Sequence, residues 1–266
     1  MKRGWLIYDC EGAKRNKWFI EECLRLAEEY GLSLSLKIVG EGWGKCPDFA
    51  LVRTINPALS QDLDRAGVRL FNNVRVAEMA NDKWASHVAA QCLGIKTMPT
   101  CLMETALSGS PFGYPVVVKS RDGHGGAEVF LMGNADEYKQ FCRAHAVENY
   151  IVQKLCSEVG KDLRIYLLGG KILAGVLRSS SVDFRSNYSL GGKVEQIPAP
   201  AEIEKTVQIL EDEYAFDFVG VDFIYDGEGW VLNEIEDVVG SRMLYQVSGL
   251  DVARLYISHV AQALKD

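Results

Sequence analysis

FVGVDFIYDGEGWVLNEIE, residues 218–236, decides how the rest of the chain reads. Phe218 to Tyr225 is rich in β-branched and aromatic residues and predicts a strand. Asp226-Gly227-Glu228-Gly229 supplies turn chemistry, and Trp230 to Ile235 returns as a second strand. Side chains alternate across a strand, so Glu234 and Glu236 leave the same face, and Asp222, on the preceding strand near the opposite end of the hairpin, can join them. Carboxylates gathered this closely repel and raise one another's pKa unless a cation sits among them. An all-oxygen set suits magnesium, completed by water and phosphate oxygens. A solvated acidic strand end is the alternative, and these three residues alone leave it open.

Upstream, VVVKSRDGHGGAEV at residues 116–129 ends a β-branched strand on Lys119 and passes through Gly123, His124, Gly125 and Gly126 into another strand. Glycines at such a turn let backbone N–H groups close on phosphate oxygens, although a plain hairpin loop reads the same way. It is no Walker loop, for GxxxxGK[ST] is absent, and no dinucleotide fingerprint, for a strand follows the glycines. Lys83, at a helix start capped by Asn81 or Asp82, and Lys119 are candidate point charges for phosphate. Asp162-Leu163-Arg164, Arg178 and Asp183-Phe184-Arg185-Ser186-Asn187 gather further polar groups beside the acidic strands. The four histidines have neither zinc spacing nor a nucleophile turn nearby.

The order of elements predicts three units. Residues 1–78 alternate strands (6–8, 34–39, 49–52, 68–71) with helices at 17–30 and after Asn56-Pro57, a small α/β domain with a parallel sheet. Residues 79–156 hold the helix after Asp82 and the strands around the glycine-rich loop, and residues 157–266 hold the hairpin about Gly169-Gly170, a helix at 201–214, the acidic hairpin and a last helix at 251–264. From Pro115 onward the pattern is α+β.

Composition narrows the partners. A chain of 266 residues that is 48% apolar supports a sizeable core, and its formal charge of −7 argues against a surface built to neutralise nucleic acid. Small molecules are the expected partners. Seven cysteines, odd in number and without a CxxC pair, read as reduced thiols in a cytoplasm. The apolar start is cut by Asp9 and Glu11, against a signal peptide, and no segment approaches the roughly 20 apolar residues of a membrane helix.

Asn81-Asp82-Lys83, Val117-Val118-Lys119 with its glycine loop, Ile151-Val152-Gln153-Lys154, Asp162-Leu163-Arg164, Asp183 to Asn187 with Gly191-Gly192, and Gly220-Val221-Asp222 follow one another in an order that resembles the ATP-grasp superfamily. The resemblance is strongest to the ribosomal-protein S6 glutamate ligase-like (RimK-type) branch and runs over residues 72–264. It implies an ATP-grasp fold: a small N-terminal parallel α/β domain, with nucleotide held between central and C-terminal α+β domains. It also implies an ATP-dependent carboxylate–amine ligase working through an acyl phosphate, joining an amino-acid or peptide carboxylate to an amine.

By the same resemblance Lys83 and Lys119 contact the ATP phosphates and the loop with Gly123, His124, Gly125 and Gly126 closes over them. The backbone of Gln153, Lys154 and Leu155 meets adenine, and Asp162 the ribose. Asp222, Glu234 and Glu236 hold one or two magnesium ions, with manganese as the substitute, and Lys119, Arg178 and Asn187 face the transferred phosphoryl group. Arg53, Arg185 and Arg242 are the expected carboxylate receivers, between the N-terminal domain and the C-terminal sheet. The chain departs from the branch at Glu236, where asparagine is usual, at Lys154, where an acid is usual, and at Asp237 to Met243, which replaces a small-residue and proline turn. A MgATP-binding regulatory module, a carboxylate kinase and a homo-oligomer are left open; the absence of GxGxxG disfavours a nucleotide-dependent oxidoreductase.

Overall fold

The computed structural model describes residues 1–123, 128–180 and 193–265. Strands β1 (Lys2–Tyr8), β2 (Leu32–Ile38), β3 (Phe49–Val52) and β4 (Arg69–Phe71) form a four-stranded sheet, β2-β1-β3-β4, in which every pairing is parallel. Between them run α1 (Cys10–Arg15), α2 (Lys17–Glu29) and α3 (Pro57–Arg65). Asp9 caps α1 by accepting the Gly12 N–H at 2.7 Å, and Asn56 caps α3 with Pro57 in its first turn, where a missing N–H costs nothing. Helix α2 buries Phe19, Ile20, Cys23, Leu26 and Ala27, the stripe its periodicity predicts.

Helices α4 (Val74–Ala80) and α5 (Lys83–Cys92) lead into an antiparallel sheet of order β5-β8-β6-β7, made of β5 (Thr100–Leu102), β6 (Val116–Ser120), β7 (Val129–Met132) and β8 (Tyr150–Lys154), with α6 (Ala135–Ala144) before β8. A second antiparallel sheet, β11-β10-β9-β12-β13, contains β9 (Lys161–Leu168), β10 (Lys171–Ser179), β11 (Lys193–Ile197), β12 (Phe218–Tyr225) and β13 (Trp230–Glu236). Helix α7 (Ala201–Tyr214) precedes β12, and α8 (Arg242–Ser248) and α9 (Val252–Ala263) follow β13. Gly169 and Gly170 turn β9 into β10 with φ of 54° and 73°, a left-handed pair that a side chain at either position would strain.

One face of the N-terminal sheet closes its own core around Ile7, Val52, Leu63 and Leu70, and the other face does not. Leu6, Leu26 and Phe49 share one apolar cluster with Tyr166, Phe218, Val239 and Tyr256 from the C-terminal half. Helices α4 and α5 pack Val76, Met79 and Ala90 against Leu163, Val219 and Ile235 of the five-stranded sheet. The central antiparallel sheet keeps a separate core around Val116, Val118, Tyr138 and Val152.

A buried carboxamide pins the two sheets that share a core. Asn72, just past β4, donates Nδ2 to the Phe218 carbonyl at 3.0 Å and Asp237 Oδ1 at 2.7 Å, while its Oδ1 accepts the N–H groups of Asp217 and Phe218 at 2.8 and 2.9 Å. Asn72→Ala orphans two buried backbone donors and is expected to cost roughly 2–3 kcal/mol, read as a lower urea midpoint with an unchanged slope.

Candidate active site

The two lysines reach one cleft from different elements. Asp82 caps α5 by accepting the Trp84 N–H at 2.8 Å and also binds the Arg121 guanidinium; the Lys83 N–H donates to the Arg121 carbonyl at 2.9 Å. The start of α5 is thereby tied to the end of β6, and Lys83 projects between them. Its ammonium donates to the Gly123 carbonyl and lies 3.1 Å from Glu234 Oε1. Lys119, on β6, is 9% exposed and donates to Asn233 Oδ1 of β13 at 2.8 Å, spanning the cleft between the two antiparallel sheets. Burial pulls the Lys119 pKa down to about 8, with Glu234 opposing and Lys83 adding to the fall.

Opposite the lysines stand the acidic strands. Asp222 pairs directly with Glu234 rather than lying at the far end of the hairpin, and then the register slips, with Phe223 opposite Leu232. Asn233 is the extra residue. Such a bulge re-aims side chains, and here Asn233 and Glu234, consecutive in sequence, both line the cleft.

Each acid has a cationic partner. Arg164 of β9 grips Asp222 with Nε and Nη2, both at 2.7 Å, and reaches Glu236 Oε1 at 2.5 Å. Arg178 of β10 binds Asp162 through Nε at 2.6 Å and gives Nη2 to Asp222 Oδ2 at 2.7 Å. Burial pushes the Asp222 carboxyl up, but Arg164 and Arg178 outweigh it and hold the pKa at about 2. Burial raises Glu236, which Arg164 offsets only in part.

Lys83, Lys119, Gly123, Gln153, Lys154, Leu155, Asp162, Arg178, Asp222, Glu234 and Glu236, all singled out in the sequence, thus line one cleft with about 870 Å³ of empty space, its open mouth included. The Lys154 N–H is committed to the Pro99 carbonyl at 2.9 Å, which leaves Leu155 as the next backbone donor on that wall. His124, Gly125, Gly126, Arg185 and Asn187 lie outside the described residues. Arg164 and Asn233 carry no role in the sequence reading. Parity could have found Arg164, two residues from Asp162 on one strand, whereas Asn233 faces the cleft only because of the bulge.

A second cavity, with about 1050 Å³ of empty space including its mouth, lies between the parallel sheet and the chain after β13. Arg53 and Arg242 line it together with Arg15, Asp9 and Asp237. Glu236 lines both cavities.

The donor set can be tested against MgATP. Two enclosed ammonium groups and Arg178 offer charge to a polyphosphate, and Glu234 and Glu236 each use only Oε1 in the ion pairs above, leaving Oε2 for a hard cation. Among the described residues no three acidic, histidine or cysteine side chains stand at metal-holding spacing. The ligand oxygens are therefore present but engaged by cations, so the set fits through exchange of partners rather than as a finished cage.

A family model described as a RimK-like ATP-grasp domain matches residues 80–260. The uncharacterized protein MG011 of Mycoplasma genitalium is 31% identical over 74% of this chain and 68% of its own length. Human N-acetylaspartylglutamate synthase A is 28% identical over 88% of this chain and 65% of its own length, so the match takes in only about two thirds of these relatives. Among solved structures, D-alanine–D-alanine ligase of Bacillus anthracis, complexed with ATP, superposes with a TM-score of 0.77 at 16% identity, covering 100% of this chain and 99% of the other. With two enclosed lysines in one cleft, paired antiparallel sheets and a family match over most of its length, this chain belongs to the RimK-like ATP-grasp family.

Proposed function

We propose that the chain is an ATP-dependent carboxylate–amine ligase that joins an amino-acid or peptide carboxylate to an amine through an acyl phosphate. The observation that carries this reading is the pair of adjoining cavities. One is built for a polyphosphate by Lys83, Lys119 and Arg178, the other sets Arg15, Arg53 and Arg242 beside Asp9 and Asp237, a mixed wall suited to a molecule with both acid and amine groups, and Glu236 forms wall in both. A solved structure of this fold, a D-alanine–D-alanine ligase, holds ATP, and one relative is named as an N-acetylaspartylglutamate synthase.

In the first step a carboxylate oxygen attacks the terminal phosphorus and ADP leaves; in the second an amine attacks the acyl carbon, phosphate leaves and the amine loses a proton. Both reactants of the first step are anions, so cations must offset their repulsion. Lys83 exchanges Glu234 for a phosphate oxygen, and Lys119 and Arg178 hold the group in transfer. Glu234, Glu236 and the remaining lone pair of Asp222 would hold magnesium, which screens phosphate charge when bound; manganese has the same preference for oxygen. Gln153 to Leu155 form the adenine wall and Asp162 faces the ribose. The seven cysteines are all free, in keeping with a cytoplasmic enzyme, and among the described residues no helix is long and apolar enough to cross a membrane.

MgATP turnover screened over amino acids and peptides is the test. ADP release is expected only when an acid and an amine are both supplied, and Glu234→Gln is expected to abolish it. Release with acid alone, trapped as a hydroxamate by hydroxylamine, would instead make the chain a carboxylate kinase, and nucleotide binding without turnover under every pair would make it a binding module.

A further inference from the structure

Arg53, Arg164 and Arg178 are buried, Arg178 lines the first cavity and Arg53 the second, and Arg53 differs from the other two in its partners. Arg164 and Arg178 are each clamped by a carboxylate through two nitrogens. Arg53, just past β3 and only 7% exposed, donates Nη2 to the Val239 carbonyl at 2.5 Å and rests 5.5 Å from the Phe218 ring centre. Its Nε is buried with no acceptor, and among the described residues no carboxylate forms an ion pair with it. Asp237, whose charge Arg53 feels, accepts from Asn72 Nδ2 at Oδ1 and from Asn81 Nδ2 at Oδ2, at 2.7 and 3.2 Å. A guanidinium offers five N–H donors in a planar fork; here the Val239 carbonyl and the Tyr8 hydroxyl answer part of it, and the desolvated remainder is costly to leave unanswered.

The cavity that Arg53 lines supplies the missing space. We propose that Arg53 is a specificity-determining residue that receives a carboxylate of the molecule bound there, one other than the group that reacts. The reacting group has to meet the phosphoryl group beside Glu236, the wall common to both cavities, whereas Arg53 is bonded to the backbone three residues farther on. The occupant is therefore an organic anion with a free acid end, as on an amino acid, a peptide terminus or a dicarboxylate. Arg15 and Arg242 are exposed at the rim and screened by water, so they add less. The word substrate for this occupant rests on the ligase reading; the binding chemistry does not.

Calorimetric titration of the full chain with amino acids, simple dicarboxylates and the matching amides tests the assignment without turnover. At least one acid is expected to bind tenfold or more tightly than its amide. Arg53→Lys, which keeps the charge but not the fork, is expected to erase that preference at unchanged ATP affinity. Equal binding of acids and amides, no binding by any acid, or a preference that survives Arg53→Lys overturns the proposal. Mass mapping after phenylglyoxal treatment gives a readout in the unmutated chain: saturating acid should protect Arg53, and undiminished modification counts against it. A chain that binds acids through Arg53 yet never releases ADP would sink the ligase reading and leave this one standing.

Discussion

Lys119→Met is expected to slow ADP formation about 10²–10³-fold, by analogy with deletion of one oxyanion donor, while leaving the chain at least as stable as the parent. Both halves follow from the same burial. The ammonium is enclosed, so its charge acts on a bound phosphate with little screening, and for the same reason the folded chain holds the proton less tightly than the unfolded one. Methionine fills similar volume without that desolvation, and the loss is one hydrogen bond to Asn233.

The sign of the pH effect distinguishes this account from simple loss of packing. With a folded pKa of about 8 against an ordinary lysine value of 10.5, the unfolded chain binds more protons between those values, so the Lys119 contribution to stability rises with pH across that window. Phosphate affinity moves the other way, falling above about pH 8 as the amine loses its charge. In Lys119→Met both slopes should flatten. Turnover assays, nucleotide titrations and thermal melts at several pH values read the three quantities, and a variant that turns over normally would remove Lys119 from the mechanism.

Arg164→Met is expected to destabilise the fold by about 3–5 kcal/mol, the usual effect of stripping one partner from a buried ion pair. Among the described residues Asp222 loses two of its three donors and is too buried to recover them from water, while the partly exposed Glu236 loses its Arg164 bond. The folded Asp222 pKa is depressed, so the stability it contributes is present above the unfolded value near 3.8 and is lost as pH falls toward about 2. The penalty should therefore be large at neutral pH and shrink in acid. Adding Asp222→Asn should recover part of it, since the orphaned charge is gone; urea melts of the single and double variants at pH 7 and pH 3 decide the matter.

The short elements show where local signals stop. Helix α2 announces itself by a full apolar stripe and Gly31, and β12 and β13 by β-branched runs on either side of a glycine turn. Helices α1, α4, α6 and α8 have ten residues or fewer, and the sequence reading passes over them. At that length packing supplies most of the stability: α4 is helical because Val76 and Met79 meet the five-stranded sheet. That Phe49 and Tyr256 belong to one apolar cluster is not legible either, because a core shared by segments far apart leaves no mark in either of them.

The sequence by itself determined the sheet types, the glycine turns, the two lysines, the acidic strand and the family pattern, because strand alternation, capping and motif order are properties of neighbours along the chain. Only the tertiary structure decided which charges pair. It placed Asp222 opposite Glu234 and between two arginines, used a bulge to turn Asn233 toward Lys119, and left Arg53 buried in a cavity wall with no carboxylate paired to it among the described residues. Pairing depends on through-space distance and on how much water remains between groups, and both are fixed only when strands distant in sequence come into register.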